Sequence, residues 1–387
     1  ILSGKKCSRQ LDSITDSLYY FPITMKTNFY FIAFSIILWT STSKSFSQNN
    51  FDVSLMVDFS SAEQLLDYFD HKTTNTTHIA ELRGNRLAAA TSVTLARTAR
   101  PNDDVIQQME LARDLSQYNN DMYGLLPAKQ HVAELRKLVT EAKRRQIDRR
   151  VIATLQAYFP ADVKIFSTIK VYMVVMGNEK ADAVVRRVIW HGDEPEFVGE
   201  GEGEPVIIFN LARTIEASSD VQTQFLELLA TLAHESFHAV FSKLKETLPG
   251  VYVSHSPSDE LLDIVQNEGI AYYLSLEIHR QGKQLSQSWF NETAKAVAAL
   301  NNALKELSSP DCSPARARKL LMDANLSGSF SGNYGATAGL RMAYEIDTRL
   351  GREALTSTLL HGTQAFVDAY RQACVRETSL PAIDSMK

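Results

Sequence analysis

The stretch Phe225 to Phe241, FLELLATLAHESFHAVF, places His234, Glu235 and His238 inside an apolar run with helical periodicity. On an α-helix, residues four apart are separated by about 6 Å of rise and about 40° around the axis, so both imidazoles can address one ion. Glu235 stands beside them on the same rim. Phe225, Leu228, Leu229, Leu232, Phe237 and Phe241 make a surface suited to burial. Imidazole and carboxylate groups set against such a surface need a partner, and a metal ion supplies one. HExxH on a helix is the spacing of a zinc hydrolase site, two histidines as ligands with the glutamate as base. The blander reading is a helix whose two histidines satisfy one another or backbone groups.

A catalytic zinc also needs a third protein ligand and an open position. A third histidine following HExxH on the pattern that requires glycine three residues on is excluded, because Phe241 and Leu244 occupy those positions. Glu268 follows in QNEGIAYY, on a helix whose stripe of Leu261, Ile264, Val265 and Tyr272 is built for burial. A lone carboxylate on such a stripe is costly unless neutralised or coordinated. His255, Asp259, Glu260 and Asp263 are the other candidates, but they lie near the start of that helix, where solvated or capping roles account for them more simply.

Around this centre the chain divides by composition. Met25-Lys26 precedes an apolar run from Phe29 to Trp39 and then small polar residues, the layout of a secretory signal peptide with cleavage between Ser47 and Gln48. Residues 1–24 then lie upstream of the true start, and the protein is expected to be exported to the periplasm or medium. The apolar run is about half of the roughly 20 residues a membrane span requires. Residues 48–158 form a mainly helical amino-terminal region that opens with the alternating strand pattern of Phe51, Val53, Leu55 and Val57, followed by a helix starting near Ser61. The basic cluster Lys143, Arg144, Arg145, Arg149 and Arg150 reads as a solvated helix face.

Residues 159–387 form the catalytic region. IFSTIKVYMVVMG and VIIFN read as strands, and HGDEPEFVGEGEGEP between them as an exposed hairpin loop or lid. Helices follow to about Arg376, interrupted by LSGSFSGNYG. The fold class is therefore α+β and predominantly helical. A net charge of -5 without a long basic block gives no reason to expect a nucleic-acid partner. Cys312 and Cys374 are the cysteines left after leader removal, too few for a disulfide framework. Asn75, Asn291 and Asn325 open glycosylation sequons.

HESFH followed by NEGIA resembles the gluzincin clan of zinc metallopeptidases, and within it the chain looks like the uncharacterised bacterial zinc-dependent peptidases. The match covers about residues 206–275, with a looser similarity through YGATAGLRMAYEIDTRLGREALTSTLLHG. The resemblance implies a zincin-like catalytic region with a small sheet beside the HExxH helix, and one Zn2+ per chain held by His234, His238 and Glu268. It also implies Glu235 as the catalytic base, a peptide or protein substrate, and VIIFN as the strand that pairs with an extended peptide, a plain core strand being the other reading of VIIFN. Thermolysin-like members carry an aspartate four residues beyond the glutamate to orient a histidine; this chain has Tyr272 there. Tyr334 is the candidate oxyanion donor by its position and by loose analogy with the family, a packed tyrosine being the other reading of it, with His255, His361 and Arg341 as further candidates.

Overall fold

A computed structural model describes residues 51–383, apart from 97–103, 115–120, 162, 178–181, 200, 326–332 and 377–379. The leader-like segment and the tip of LSGSFSGNYG lie outside the described residues.

One five-stranded sheet organises the molecule, in the order β1-β2-β5-β3-β4. The strands are β1 (Phe51–Asp58), β2 (Ile165–Val174), β3 (Ala183–His191), β4 (Glu194–Val198) and β5 (Glu204–Asn210). β1 pairs in parallel with β2, and β2 with β5, whereas β3 runs antiparallel to both β5 and β4. Parallel neighbours demand a long crossover connection. Here the whole helical stretch from Ser60 to Gln156 lies between β1 and β2: α1 (Ser60–Phe69), α2 (Thr76–Glu81), α3 (Arg83–Ala96), α4 (Asp104–Asp114), α5 (Leu125–Gln130), α6 (Val132–Arg144) and α7 (Ile147–Gln156). Val206 to Phe209 of β5 are all buried, as befits a central strand covered on both faces.

Beyond β5 the chain is helical: α8 (Leu211–Thr214), α9 (Val221–Glu246), α10 (Pro257–Arg280), α11 (Gln287–Leu307), α12 (Pro314–Ala324), α13 (Tyr334–Leu350) and α14 (Arg352–Arg376). Asp220 caps α9 by accepting the Thr223 N–H at 2.8 Å, and Lys243 and Lys245 sit in its last turn, where they complement the helix dipole. Its apolar face locks into the core through Phe237, whose ring centroid is 5.3 Å from that of Phe159. Ser256 caps α10, with Pro257 in its first turn. α10 crosses α13 at two glycines. A Cβ on Gly339 would lie 1.9 Å from the Val265 carbonyl oxygen, and one on Gly269 would lie 2.3 Å from the Gly339 carbonyl carbon. Only glycine permits that backbone approach, and it seats α10 against α13 next to Glu268.

Two expectations change on contact with the fold. β5 cannot pair with a peptide, because β2 occupies one edge and β3 the other. The acidic glycine-containing loop contributes a strand, β4, in a hairpin with β3 whose turn is Gly192-Asp193. α1 begins at Ser60, within a residue of the expected start, and the Asp58 carboxylate accepts the Ser60 N–H at 2.8 Å. Cys312 and Cys374 are unbonded. No helix among the described residues is long and apolar enough to cross a membrane.

Candidate metal centre

α9 and α10 bring His234, His238 and Glu268 together. The two Nε2 atoms are 3.0 Å apart, and Glu268 Oε2 lies 3.6 Å from His234 Nε2 and 3.5 Å from His238 Nε2. Donors bound tetrahedrally to zinc at about 2.0–2.1 Å sit about 3.3 Å from one another. The observed triangle fits that demand, and its chemistry, two imidazoles and one carboxylate, is a zinc-hydrolase ligand set. Among the described residues no other group of histidine, cysteine, aspartate and glutamate converges in this way.

The surroundings orient each donor. His238 Nδ1 donates to Asn267 Oδ1 at 3.0 Å, which leaves its Nε2 lone pair facing the centre. Asn325 Nδ2 donates to Glu268 Oε1 at 3.1 Å, so the other carboxylate oxygen is the one turned to the imidazoles. Burial disfavours charge on His238 and Glu268, but their ion pairing outweighs it. Glu268 is held far below the usual carboxylate range by the two histidines, and His238 is pushed up to about 9 by Glu268. Metal binding at a centre of imidazole and carboxylate donors is coupled to the loss of any protons they carry.

Glu235 is partly buried one step around α9 and has no hydrogen bond to any described residue. Burial pushes its carboxyl above the ordinary range against the pull of His234 and His238, with the Glu268 charge adding to the rise. A dication at the trio would draw it back down. Tyr272 lies one helical turn beyond Glu268, with its ring edge-on to His234 at 4.6 Å and its residue 37% exposed. Its hydroxyl has no partner among the described residues, and burial together with the charges of Glu268 and Glu235 pushes its pKa up to about 12.

The remaining sequence candidates lie elsewhere. Tyr334 Oη donates to the Leu320 carbonyl on α12 at 2.8 Å, among the charges of Asp323, Arg316 and Glu306 rather than those of the trio. Arg341 is buried in an ion pair with Glu345 at 2.8 Å. The His255 N–H bonds the Asp259 carboxylate at the start of α10, and His361 bonds its own helix at Ser357. Lys245 pairs with Asp263 at 2.5 Å.

Asn267 and Asn325 escaped the sequence reading. Asn267 directly precedes Glu268, so adjacency was its signal. Asn325 was read as a sequon, and nothing in its neighbourhood in the chain links it to a residue 57 positions away.

A cleft of about 650 Å3 opens beside His238 and Asn267, between α9 and the sheet. β3 forms part of its wall, and there the strand has an open side. β4 pairs only with Arg187 to His191, so Ala183 to Arg186 have no strand beside them on that edge among the described residues. Ladder alternation turns the backbone N–H and C=O of Val185 to this open side, as Arg187 turns its own to Val198.

No curated protein and no solved structure matches the chain. A family described as "Putative zinc dependent peptidase (DUF5700)" matches residues 77–379, a span that runs from α2 beyond α14 and includes every residue of the trio. With that span covering most of its length, the chain belongs to this zinc-dependent peptidase family.

Proposed function

We propose that the protein is a zinc-dependent peptidase of the gluzincin type, with His234, His238 and Glu268 as ligands and Glu235 as general base. The carrying observation is the trio of donors at zinc-ligand separations with a carboxylate beside it that bonds to no described residue. Zinc held there supplies Lewis acidity, acidifying water and polarising a substrate carbonyl. Glu235 takes the proton of the attacking water and delivers it to the leaving amine nitrogen. Tyr272, rather than Tyr334, donates a hydrogen bond to the oxygen on which negative charge develops, because its hydroxyl stands beside the trio and is engaged by no described residue.

The open edge of β3 favours a peptide over a non-peptide amide: Val185 offers a backbone N–H and C=O that an extended chain can complete as an added strand. Export follows from the pattern around Met25 to Ser47, and amino-terminal sequencing of the secreted product tests it.

The test of function is turnover of a mixed peptide library by the zinc-loaded protein and its Glu235→Gln variant. Cleavage by the wild type, reduced about thousandfold in a variant that keeps its zinc, is the expected outcome. A wild type that binds zinc and cleaves nothing in the library would overturn the peptidase reading.

A further inference from the structure

Four cations line the cleft beside His238, and three are matched by acids. Arg187 and Lys243 share Glu246, each at 2.6 Å, and Lys245 holds Asp263 at 2.5 Å. Arg186 differs. It forms no ion pair with any described residue; Nη1 donates to the Val185 carbonyl at 3.1 Å, and the guanidinium lies 5.9 Å from the Phe197 ring centroid. Glu235 is the one charge that acts on it electrostatically, and burial pulls its pKa down. A guanidinium carries five N–H donors in a planar fork, and burying it without an anion leaves most of them unused.

Among the described residues its one hydrogen bond is made at the place a substrate would take. The Val185 carbonyl faces the open side of β3, so a peptide adding to that edge displaces Nη1 by offering its own N–H. The displaced guanidinium is then free, in a cleft whose other cations are already paired. Carboxylate is the group its fork fits in two parallel hydrogen bonds.

We propose that Arg186 is a specificity residue that receives a substrate carboxylate, so that the peptidase prefers peptides carrying an anionic group close to the scissile bond. The group is either the free carboxyl terminus or an aspartate or glutamate side chain. This rests on the peptidase reading above.

The test uses matched pairs of peptides with the zinc-loaded wild type, Arg186→Ala and Arg186→Lys. One set compares free-acid with amidated carboxyl termini; the other compares Asp or Glu with Asn or Gln at each position around the cleaved bond. The quantity read is the ratio of kcat/KM within a pair. In the wild type the carboxylate member is favoured about tenfold to hundredfold, the ratio falls to near one in Arg186→Ala, and Arg186→Lys restores part of it. Preference confined to the first set identifies the carboxyl terminus, and preference in the second identifies a side chain. A wild-type ratio of one, or a ratio unchanged in Arg186→Ala, overturns the proposal. An Arg186 that acts only on the charge of Glu235 would give the latter result, lowering both members of a pair alike.

The same peptides are titrated calorimetrically into zinc-loaded Glu235→Gln and the Arg186→Ala/Glu235→Gln double variant. Carboxylate-dependent binding that disappears in the double variant supports the assignment even if the wild type cleaves nothing; equal binding of both pair members contradicts it.

Discussion

Tyr272 and Tyr273 are neighbours on α10, and they face two partly buried charged clusters built on opposite principles. Tyr273 donates to Asp347 at 2.5 Å; Asp347 holds Arg352 at 2.5 Å, and Glu277 holds Arg280 at the same distance. Arg352 also lies 4.0 Å above the Tyr158 ring. Every charge in that cluster meets its opposite. On the other side, Tyr272 stands against an assembly in which two Nε2 atoms and a carboxylate oxygen point at a common centre. Donors aimed at one another leave a deficit that a cation fills, whereas a closed ion network asks for nothing further. The difference separates a site from a structural brace, although burial and charge are similar in both.

Substitutions sharpen this contrast. Asp347→Ala removes the acceptor of both Arg352 and Tyr273, so it should cost about 3 kcal/mol in stability, read by chemical denaturation, while zinc affinity stays unchanged. Tyr272→Phe should do the reverse, lowering kcat about hundredfold with KM, zinc content and the unfolding midpoint close to wild type. Asn267→Ala should weaken zinc about tenfold in a competition titration, since it frees His238 Nδ1 without touching a ligand. Tyr273→Phe should give the smallest effect, about 1 kcal/mol of stability and no change in turnover. Loss of zinc in Asp347→Ala, or a stability loss in Tyr272→Phe matching that in Tyr273→Phe, would erase the distinction.

Much of this was readable before any coordinates. HExxH sits on a helix whose apolar face dictates which side is buried, and Glu268 lies on the stripe of a second helix, so helical periodicity alone turned both toward one seam. Strand composition identified β2 and β5. Periodicity says nothing about strand order, however: VIIFN, which the resemblance implies as the peptide-pairing strand, is central, and the open edge belongs to β3. The orienting groups were hidden for a related reason. Asn325 reaches Glu268 only because α12 ends where α13 begins its crossing of α10, and that crossing depends on Gly269 and Gly339 meeting in space. The place of Tyr334 in a glycine-rich segment does not show where its hydroxyl goes, and the hydroxyl bonds the neighbouring helix. Tyr272 was noticed for what it replaces; its contact with His234 explains its place in the site.

The account turns on Glu268 as the third metal ligand. Zinc content and affinity of Glu268→Ala, measured beside wild type and Glu235→Gln by metal analysis and competition titration, address it most directly. The expected result is about one zinc per chain in wild type and Glu235→Gln, with more than hundredfold weaker binding in Glu268→Ala, because a lost ligand costs more than the tenfold to hundredfold of a lost orienting partner. Full zinc binding by a folded Glu268→Ala would contradict it.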